Sequence, residues 1–204
     1  MLYKNISNTS YNRAVYTEPW AYWDDAFTSD ELKKLIEQCD SMDLIRAKVG
    51  STENSKDVEK IRKSNITWLH RNEETKWIFD KVNFMIHNIN DMFYNFELNG
   101  YDSLQYTVYD GTEEGHYDWH MDMFMGQQKT EFLTRKLSFT MLLDGDFEGG
   151  AFQINTGKEK SAITVETRPG RAILFPSFVI HRVTPILKGT RKSLVAWCTG
   201  PKFR

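Results

Sequence analysis

Cysteine is scarce in this sequence, with Cys39 and Cys198 the two examples in 204 residues. They lie far apart and match neither a disulfide framework nor a CxxC motif. We interpret them as reduced, buried thiols of a protein from a reducing compartment.

Long hydrophobic runs are absent as well. No stretch approaches the ~20 consecutive apolar residues of a membrane-spanning helix. The first eight residues, Met1 to Asn8, are too polar for a signal peptide. We therefore expect a cytoplasmic protein with no membrane partner.

Neither sign of charge is in excess. Lys and Arg number 26 and Asp and Glu number 28, for a net charge of −2, so the sequence lacks the basic excess typical of nucleic-acid binding. No nucleic-acid partner is expected. Hydrophobic residues at 40% and charged residues at 26% exclude an intrinsically disordered chain. A length of 204 residues suits one sizeable core and predicts a single domain, 1–204.

The character of the chain changes near Gly100. Residues 1–100 indicate a helical N-terminal support region, whereas in residues 101–204 runs of β-branched and aromatic residues alternate with turn signals. This spacing is typical of an antiparallel sandwich or jelly roll, so we predict a mainly β (α+β) fold of about eight strands packed against N-terminal helices. The predicted strands cover about 103–110, 116–123, 136–143, 151–155, 161–166, 171–175, 178–183 and 192–198.

Two helices are predicted in the first half. A capping box formed by Thr28 and Glu31 predicts one over about 29–39. Apolar residues at three- and four-residue steps predict a longer one over about 73–96. The polar stretch from Val49 to Lys63 has little periodicity and is predicted to be a surface loop.

Metal-capable side chains follow Gly115 at alternate positions: His116, Asp118, His120 and Asp122. In a strand these four share one face. The opposite face would then carry Tyr117, Trp119 and Met121. Because His116 and Asp122 would lie about 20 Å apart at ~3.3 Å per residue, one adjacent pair must bind together with a third ligand from elsewhere.

His181 is the candidate third ligand. It lies in the apolar run from Phe178 to Val183, which an antiparallel fold can return beside an earlier strand, whereas His70 and His87 fall in a polar loop and a helix. Two histidines and one carboxylate make a facial triad, whose open positions suit non-haem Fe(II) in oxygen chemistry.

Arg191 opens the last predicted strand, with Ser193 and Trp197 on its face. Taken alone, Arg191 fits a solvated charge at a strand end. On the inward face of a barrel, however, a guanidinium is costly unless an anion satisfies it. Its planar fork matches a carboxylate, and Ser193 adds a hydroxyl. Together with a metal triad, Arg191 indicates a dicarboxylate that chelates the metal at one end and meets the arginine at the other.

With these residues placed, the sequence resembles the Fe(II)/2-oxoglutarate-dependent dioxygenases, specifically the prolyl 4-hydroxylase-like branch that includes the bacterial PKHD-type hydroxylases. The resemblance covers about Leu104 to Pro201, and the N-terminal half is similar in its helical layout only. It rests on His120-Met121-Asp122, Gly149-Gly150-Ala151-Phe152, Gly170 to Phe175, and His181 to Ile186 leading to Gly189-Thr190-Arg191.

The resemblance implies a double-stranded β-helix as the catalytic core over residues 101–204. The implied ligands of Fe(II) are His120, Asp122 and His181, which leaves His116 and Asp118 as strand or rim residues. The implied contact of the distal carboxylate of 2-oxoglutarate is Arg191, and Tyr109 resembles a tyrosine that many relatives use near the cofactor. Ascorbate is an additional reductant that the resemblance allows.

One tyrosine of the family pattern is missing. Several members carry a tyrosine on the strand after the metal pair, yet Leu137 to Leu143 contains none. Thr140 or Ser193 is therefore expected to supply the second hydrogen bond to the cofactor.

The implied reaction is hydroxylation of an unactivated C–H bond by O2, coupled to decarboxylation of 2-oxoglutarate to succinate and CO2. A prolyl residue of a peptide or protein is the first substrate expected, and a free amino acid or another small molecule is the second. Two other classes stay open. A cupin-like metal protein without 2-oxoglutarate chemistry would not need Arg191, and a binding module would bind the metal without catalysis.

Residues near the motif are candidates for the substrate rim, although packing is the more common role for such side chains. They are Tyr106, Tyr117, Trp119, Met123, Phe124 and the segment from Arg62 to Trp68. The oligomeric state does not follow from the sequence.

Overall fold

The computed structural model describes residues 19–48, 55–123, 133–157 and 162–203. Within these ranges the helices are α1 (Ser29–Asp40), α2 (Ser55–Ile61) and α3 (Lys76–Ile89), and α3 continues into a π-helical turn, Asn90–Tyr94. No helix in the described ranges is both long and apolar enough to cross a bilayer.

Helix α1 begins where the sequence predicts, because the capping box forms. The hydroxyl of Thr28 accepts a hydrogen bond from the backbone N–H of Glu31 at 3.2 Å, and the Glu31 carboxylate accepts one from the Thr28 N–H at 2.8 Å. These two bonds satisfy amide donors that the first helical turn leaves free. The predicted second helix is shorter than expected, since regular α-helix ends at Ile89 and the backbone turns left-handed at Asn95.

Thirteen strands are present in the described part of the chain. They are β1 (Ala21–Trp23), β2 (Ile45–Arg46), β3 (Arg62–Lys63), β4 (Asn65–His70), β5 (Ser103–Asp110), β6 (His116–His120), β7 (Leu133–Leu142), β8 (Phe147–Gly149), β9 (Phe152–Asn155), β10 (Ala162–Thr164), β11 (Ala172–Pro176), β12 (Ile180–Val183) and β13 (Ile186–Pro201). Each of the eight predicted strands has a counterpart among them, which confirms the mainly β prediction.

The strands form two antiparallel sheets. The major sheet has the order β1-β11-β7-β13-β5-β4-β2, with β8 paired to one end of β13, and the minor sheet has the order β10-β9-β12-β6-β3. Residues from both sheets, among them Ile173, Phe175, Phe152 and Ile154, form one apolar cluster between them. The result is the two-layered jelly roll that the sequence predicts.

Strand β13 shows how the major sheet divides its two faces. Its even-numbered residues Leu194, Ala196 and Cys198 pack in the larger core cluster, together with helix residues such as Val82 and Met85. Its odd-numbered residues from Arg191 to Trp197 line a pocket between the two sheets. Alternation along one strand therefore separates a structural face from a pocket face.

The N-terminal half departs from the prediction in two respects. Besides helices, it contributes the strands β1 to β4 to both sheets. The predicted loop from Val49 to Lys63 is wrong over its second part, which forms α2 and β3, while residues 49–54 lie outside the described ranges. The single-domain organisation over residues 1–204 stays a prediction.

Candidate metal centre

Strands β6 and β12 bring the two predicted histidines together. His120 pairs directly with His181 in the minor sheet, and their ring centroids lie 4.1 Å apart. Asp122 follows just after β6, where its backbone N–H and that of Met123 both donate to the Ser177 carbonyl at 3.0 and 2.9 Å. The turn that carries the carboxylate is thus attached to the connection between β11 and β12.

The three side chains converge on one point. One ligating atom from each lies within 4.8 Å of the others, and the Nε2 atoms of His120 and His181 lie 3.7 and 3.5 Å from the Asp122 carboxylate oxygens. Each Nδ1 lies within hydrogen-bond distance of a backbone carbonyl, that of Asp118 at 2.7 Å and that of Val179 at 2.9 Å. If each Nδ1 carries the proton, both Nε2 lone pairs face the common point, as ligands of a metal require.

Burial and neighbouring charge favour the ligating forms of His120 and Asp122. Burial lowers the pKa of His120 to about 3, with the nearby His181 acting in the same direction. For Asp122 burial opposes ionisation, but the two imidazoles and a hydrogen bond from the Ser138 hydroxyl at 2.7 Å outweigh it and lower the pKa of the carboxyl. At neutral pH the centre therefore offers an unprotonated imidazole and a carboxylate.

An extra residue in β6 changes which side chains reach the centre. Val183 pairs with Tyr117 and His181 with His120, so three steps on β6 oppose two on β12, which is a β-bulge. The expectation that Tyr117 points away from His120 is therefore wrong. The two rings stack at 3.4 Å with an interplanar angle of 13°, and Tyr117 lines the pocket.

The other pair of the motif takes no part in the cluster. The ring nitrogens of His116 lie 2.8 and 3.2 Å from the carbonyls of Glu114 and Lys60. Asp118 is exposed and accepts the Trp119 N–H. The structure thus assembles His120, Asp122 and His181 and leaves His116 and Asp118 outside.

Arg191 lies at the inner end of the same pocket. It is 1% exposed, pairs with Tyr109 across β13 and β5, and places its guanidinium carbon 5.8 Å from that phenol ring. Its Nε has no hydrogen-bond partner among the described residues, and burial lowers its pKa. A buried cation without a counter-charge is expensive, so this position fits the carboxylate of a ligand.

The Gly149-Gly150 segment makes room for this arginine. Gly150 has a φ of +60°, and a Cβ there would collide with the side chain of Ile186 and lie 3.1 Å from Cδ of Arg191. Glycine is therefore required both by the backbone conformation and by the approach of the two side chains.

The pocket joins the triad to Arg191. It has about 450 Å³ of empty space including its open mouth, and its walls combine aromatic rings with a few polar groups. The described lining includes Tyr109, Tyr117, Thr107, Gln105, Thr140, Ser193, Phe152, Phe175, Val195, Trp197 and Arg62. Tyr109 and Ser193, both expected near a cofactor, therefore face this space.

Several lining residues were not predicted. Gln105 and Thr107 share a face of β5 with Tyr109, so alternation alone could have found them. Arg62 was expected at a rim, yet it is 7% exposed and lies in the wall. Its position depends on the pairing of β3 with β6, for which the sequence carries no local signal.

Other rim candidates lie elsewhere. Tyr106 is on the helix-facing side of β5, where its hydroxyl donates to Asp40 at 2.6 Å. Trp119 stacks with Arg182 outside the pocket lining. Phe124 lies outside the described residues.

The two sheets and the buried triad define the architecture of an Fe(II)/2-oxoglutarate oxygenase. Residues 104–199 match the family model described as the 2OG-Fe(II) oxygenase superfamily. This match covers just under half of the chain; it confirms the resemblance, which implies Fe(II) and 2-oxoglutarate as cofactors.

Curated relatives point to the same branch. The chain is 40% identical over 85 residues to a PKHD-type hydroxylase of Synechococcus sp. (strain CC9605), covering 40% of this chain and 35% of that protein. It is 34% identical over 98 residues to a PKHD-type hydroxylase of Crocosphaera subtropica, covering 47% and 41%. The matches thus span well under half the length of these relatives.

Solved structures share the fold over nearly the whole chain. A prolyl-4-hydroxylase of Pseudomonas putida has a TM-score of 0.68 at 21% identity, covering 90% of this chain and 94% of that one. A prolyl hydroxylase of Trichoplax adhaerens, in complex with a peptide fragment of the hypoxia inducible factor oxygen degradation domain, has a TM-score of 0.71 at 19% identity, covering 97% and 91%. At these identities the likeness concerns the fold, the double-stranded β-helix.

Proposed function

We propose that this protein is an Fe(II)- and 2-oxoglutarate-dependent dioxygenase that hydroxylates an unactivated C–H bond, first of all in a prolyl residue of a peptide or protein. The observation that carries the proposal is the pairing of two features in one pocket. A largely buried His-Asp-His cluster opens into the same space as a buried arginine that has no carboxylate partner among the residues the structure describes.

Fe(II) would be held by His120, Asp122 and His181. Two imidazoles and one carboxylate on one side of a metal leave its remaining positions open, which is the donor set of non-haem Fe(II) oxygenases. Ser138 supports the arrangement, since its hydroxyl holds one carboxylate oxygen of Asp122. Hydrogen bonds of this kind orient metal ligands and influence metal affinity.

2-Oxoglutarate would be held by Arg191 at its distal carboxylate, with the hydroxyls of Tyr109 and Ser193 beside it. The guanidinium offers a planar pair of donors that matches a carboxylate. When bound, the metal and 2-oxoglutarate supply the oxidising chemistry: O2 is reduced, 2-oxoglutarate is decarboxylated to succinate and CO2, and one oxygen atom enters the substrate C–H bond.

The protein's own residues would position the reactants and exclude water. Phe152 and Phe175 pack beside the ring of His181, with centroids 5.8 and 4.6 Å from it. These apolar walls limit access of solvent to the reacting centre, which strengthens its electrostatic interactions.

The choice of a prolyl substrate is supported by the relatives. The curated matches are named PKHD-type hydroxylases, and the structural neighbours include prolyl hydroxylases, one of them with a bound peptide. A cupin-like metal protein without 2-oxoglutarate is the less favoured alternative, because it gives no reason for the buried charge of Arg191.

The test is succinate release from 2-oxoglutarate with Fe(II), measured with pools of proline-containing peptides whose gain of one oxygen atom is followed by mass spectrometry. His120→Ala and Asp122→Ala should abolish both signals. The chain provides a matched control four residues before each of these ligands, since His116→Ala and Asp118→Ala change the same residue types outside the cluster and should leave both signals intact. Succinate release by both ligand variants at the normal rate would exclude this function.

A further inference from the structure

A second buried arginine lies in the wall of the pocket. Arg62 is 7% exposed and lies on β3, the edge strand of the minor sheet, where it pairs with Tyr117 of β6. Its guanidinium carbon lies 4.7 Å from the centre of the Tyr117 ring, which in turn stacks on His120. A guanidinium, a phenol and a ligating imidazole therefore form one stack.

Neutral groups hold this guanidinium in place. Its Nε donates to the Ser64 hydroxyl at 2.9 Å and its Nη2 to the Gln105 side-chain carbonyl at 2.9 Å. Within the described ranges, no carboxylate lies within ion-pair distance of Arg62. Hydrogen bonds to neutral acceptors orient a buried cation but do not neutralise it, so an anion at this position would be strongly favoured.

Arg62 and Arg191 occupy different depths. Gln105, which holds Arg62, pairs with Val195, whereas Tyr109, beside Arg191, pairs with Arg191 itself. These two levels are four residues apart, or about 13 Å along the strands. A five-carbon dicarboxylate spans only about 5 Å between its carboxyl carbons, so a ligand whose distal carboxylate lies at Arg191 ends short of the level of Gln105, the residue that holds Arg62.

The net charge of the pocket with a metal and 2-oxoglutarate bound also favours a further anionic ligand. The described charged residues of the lining are Arg62, Arg191 and the metal ligand Asp122. A divalent metal and a dicarboxylate cancel each other, so one positive charge remains in a pocket with little access to water. An anionic group on the third component, the substrate, would offset it.

We infer that Arg62 anchors a carboxylate of the primary substrate, provided by an acidic side chain or by a free C-terminal carboxylate. The inference rests on the proposed function, because it assigns the substrate side of the same pocket. Ser64 and Gln105 act as positioning residues that aim the guanidinium.

The experiment compares N-acetyl-L-proline, which carries one carboxylate, with the neutral N-acetyl-L-prolinamide. Binding of each to the full chain with Mn(II) and 2-oxoglutarate is measured by saturation-transfer NMR, which requires no turnover. We expect the acid to bind at least about tenfold more tightly than the amide. In Arg62→Gln this ratio should fall to about one, and Arg62→Lys should retain part of it because the charge remains.

Two controls make the result specific. Arg46→Gln removes the same charge from a surface arginine paired with Glu59 and Glu113 and should leave the ratio unchanged. Binding of Mn(II) and 2-oxoglutarate, followed by electron paramagnetic resonance and calorimetry, should be the same in Arg62→Gln as in the unchanged protein, which also shows that the variant is folded. To distinguish the two sources of the carboxylate, binding of peptides with acidic side chains and amidated C-termini is compared with binding of neutral peptides with free C-termini.

Equal responses to the acid and the amide, including no response to either at millimolar concentration, overturn the inference. Weaker 2-oxoglutarate binding in Arg62→Gln also overturns it, since Arg62 would then be a cofactor contact. Failure of the proposed function has a different signature, namely that the unchanged protein binds neither Mn(II) nor 2-oxoglutarate, or releases no succinate with any peptide pool.

Discussion

The two faces of the major sheet are built from the same strands but differ in nearly every physical respect. The face toward the helices is apolar and buried: Leu104, Leu137, Met141, Leu174, Leu194 and Ala196 are at most 1% exposed. The face toward the pocket carries buried polar groups: Gln105, Thr107, Ser138, Arg191 and Ser193. The first face stabilises the fold through apolar burial, and the second holds polar groups where they can meet ligands, at a cost in stability.

The largest expected effect tests the helix-facing side. Met141→Ala should lower the free energy of unfolding by about 3–4 kcal/mol, because a fully buried side chain leaves a cavity in a close-packed core. Thr140→Ala changes the next residue, which faces the pocket, and should cost much less. Urea denaturation of both variants measures the difference. Equal losses would mean that the two faces contribute alike to stability.

The next effect tests the pocket-facing side. Arg191→Met should weaken 2-oxoglutarate binding by about 3 kcal/mol, roughly a hundredfold, because the carboxylate loses its charged partner. The ligand-free variant should be at least as stable as the unchanged protein, since an uncompensated buried charge is removed. Calorimetry and urea denaturation test the two parts.

A matched control exists one residue further along β13. Lys192→Met removes a charge from the opposite face, where the lysine pairs with Asp40 at 2.6 Å. It should lower stability by at most about 1 kcal/mol and leave 2-oxoglutarate binding unaffected. If Lys192→Met weakened binding as much as Arg191→Met, the effect would reflect general charge instead of a specific contact.

A third prediction concerns the two thiols of the helix-facing core. Burial raises the pKa of Cys39 and of Cys198 to about 12, whereas an unfolded cysteine titrates near pH 8.5. Above that pH the unfolded chain loses protons that the folded chain retains. The free energy of unfolding should therefore fall as pH rises, by about 2 kcal/mol for each thiol between pH 8 and 10.

The thiol contribution can be isolated. The double variant Cys39→Ala/Cys198→Ala should show a shallower decline of stability over the same pH range. In the unchanged protein at pH 8, iodoacetamide should label the thiols only after denaturation. Rapid labelling of the native protein would show that these thiols are accessible and would remove the basis of the prediction.

The smallest effect distinguishes two hydroxyls of the pocket. Ser193→Ala should weaken 2-oxoglutarate binding by about 1 kcal/mol, the net value of one hydrogen bond. Ser193 is favoured over Thr140 because it lies on the same strand and face as Arg191, two residues away. If calorimetry finds the loss in Thr140→Ala and not in Ser193→Ala, the second hydrogen bond belongs to Thr140.

What could be predicted from the sequence was local or periodic. The Thr28 capping box depends on residues three positions apart, and the strand Ser103–Asp110 follows from alternation within one segment, so both were found with correct bounds or nearly so. The triad was predicted in two steps: alternation placed four metal-capable side chains on one face, and the family resemblance then selected His120 and Asp122 among them, with His181. Their convergence then needed only one antiparallel pairing, His120 with His181.

What could not be predicted depends on contacts between distant segments. Tyr117 reaches the pocket because β6 carries one extra residue. The residue types between Tyr117 and His120 do not indicate this bulge, so the alternation rule could not predict it. Arg62 reaches the wall because a two-residue edge strand pairs with β6. A two-residue strand is too short for any periodicity to reveal.

The bulge in β6 is tied to the spacing of two residues in the sequence. Tyr117 and His120 are three positions apart, so their rings share a face only because the bulge absorbs the extra residue. Deleting Asp118 would leave the two rings two positions apart, where regular alternation places both on one face without a bulge. Either length can therefore bring the two rings together, but the three-residue spacing requires the bulge. Homologous segments are better compared by the length between these two rings than by the identity of the residues they enclose.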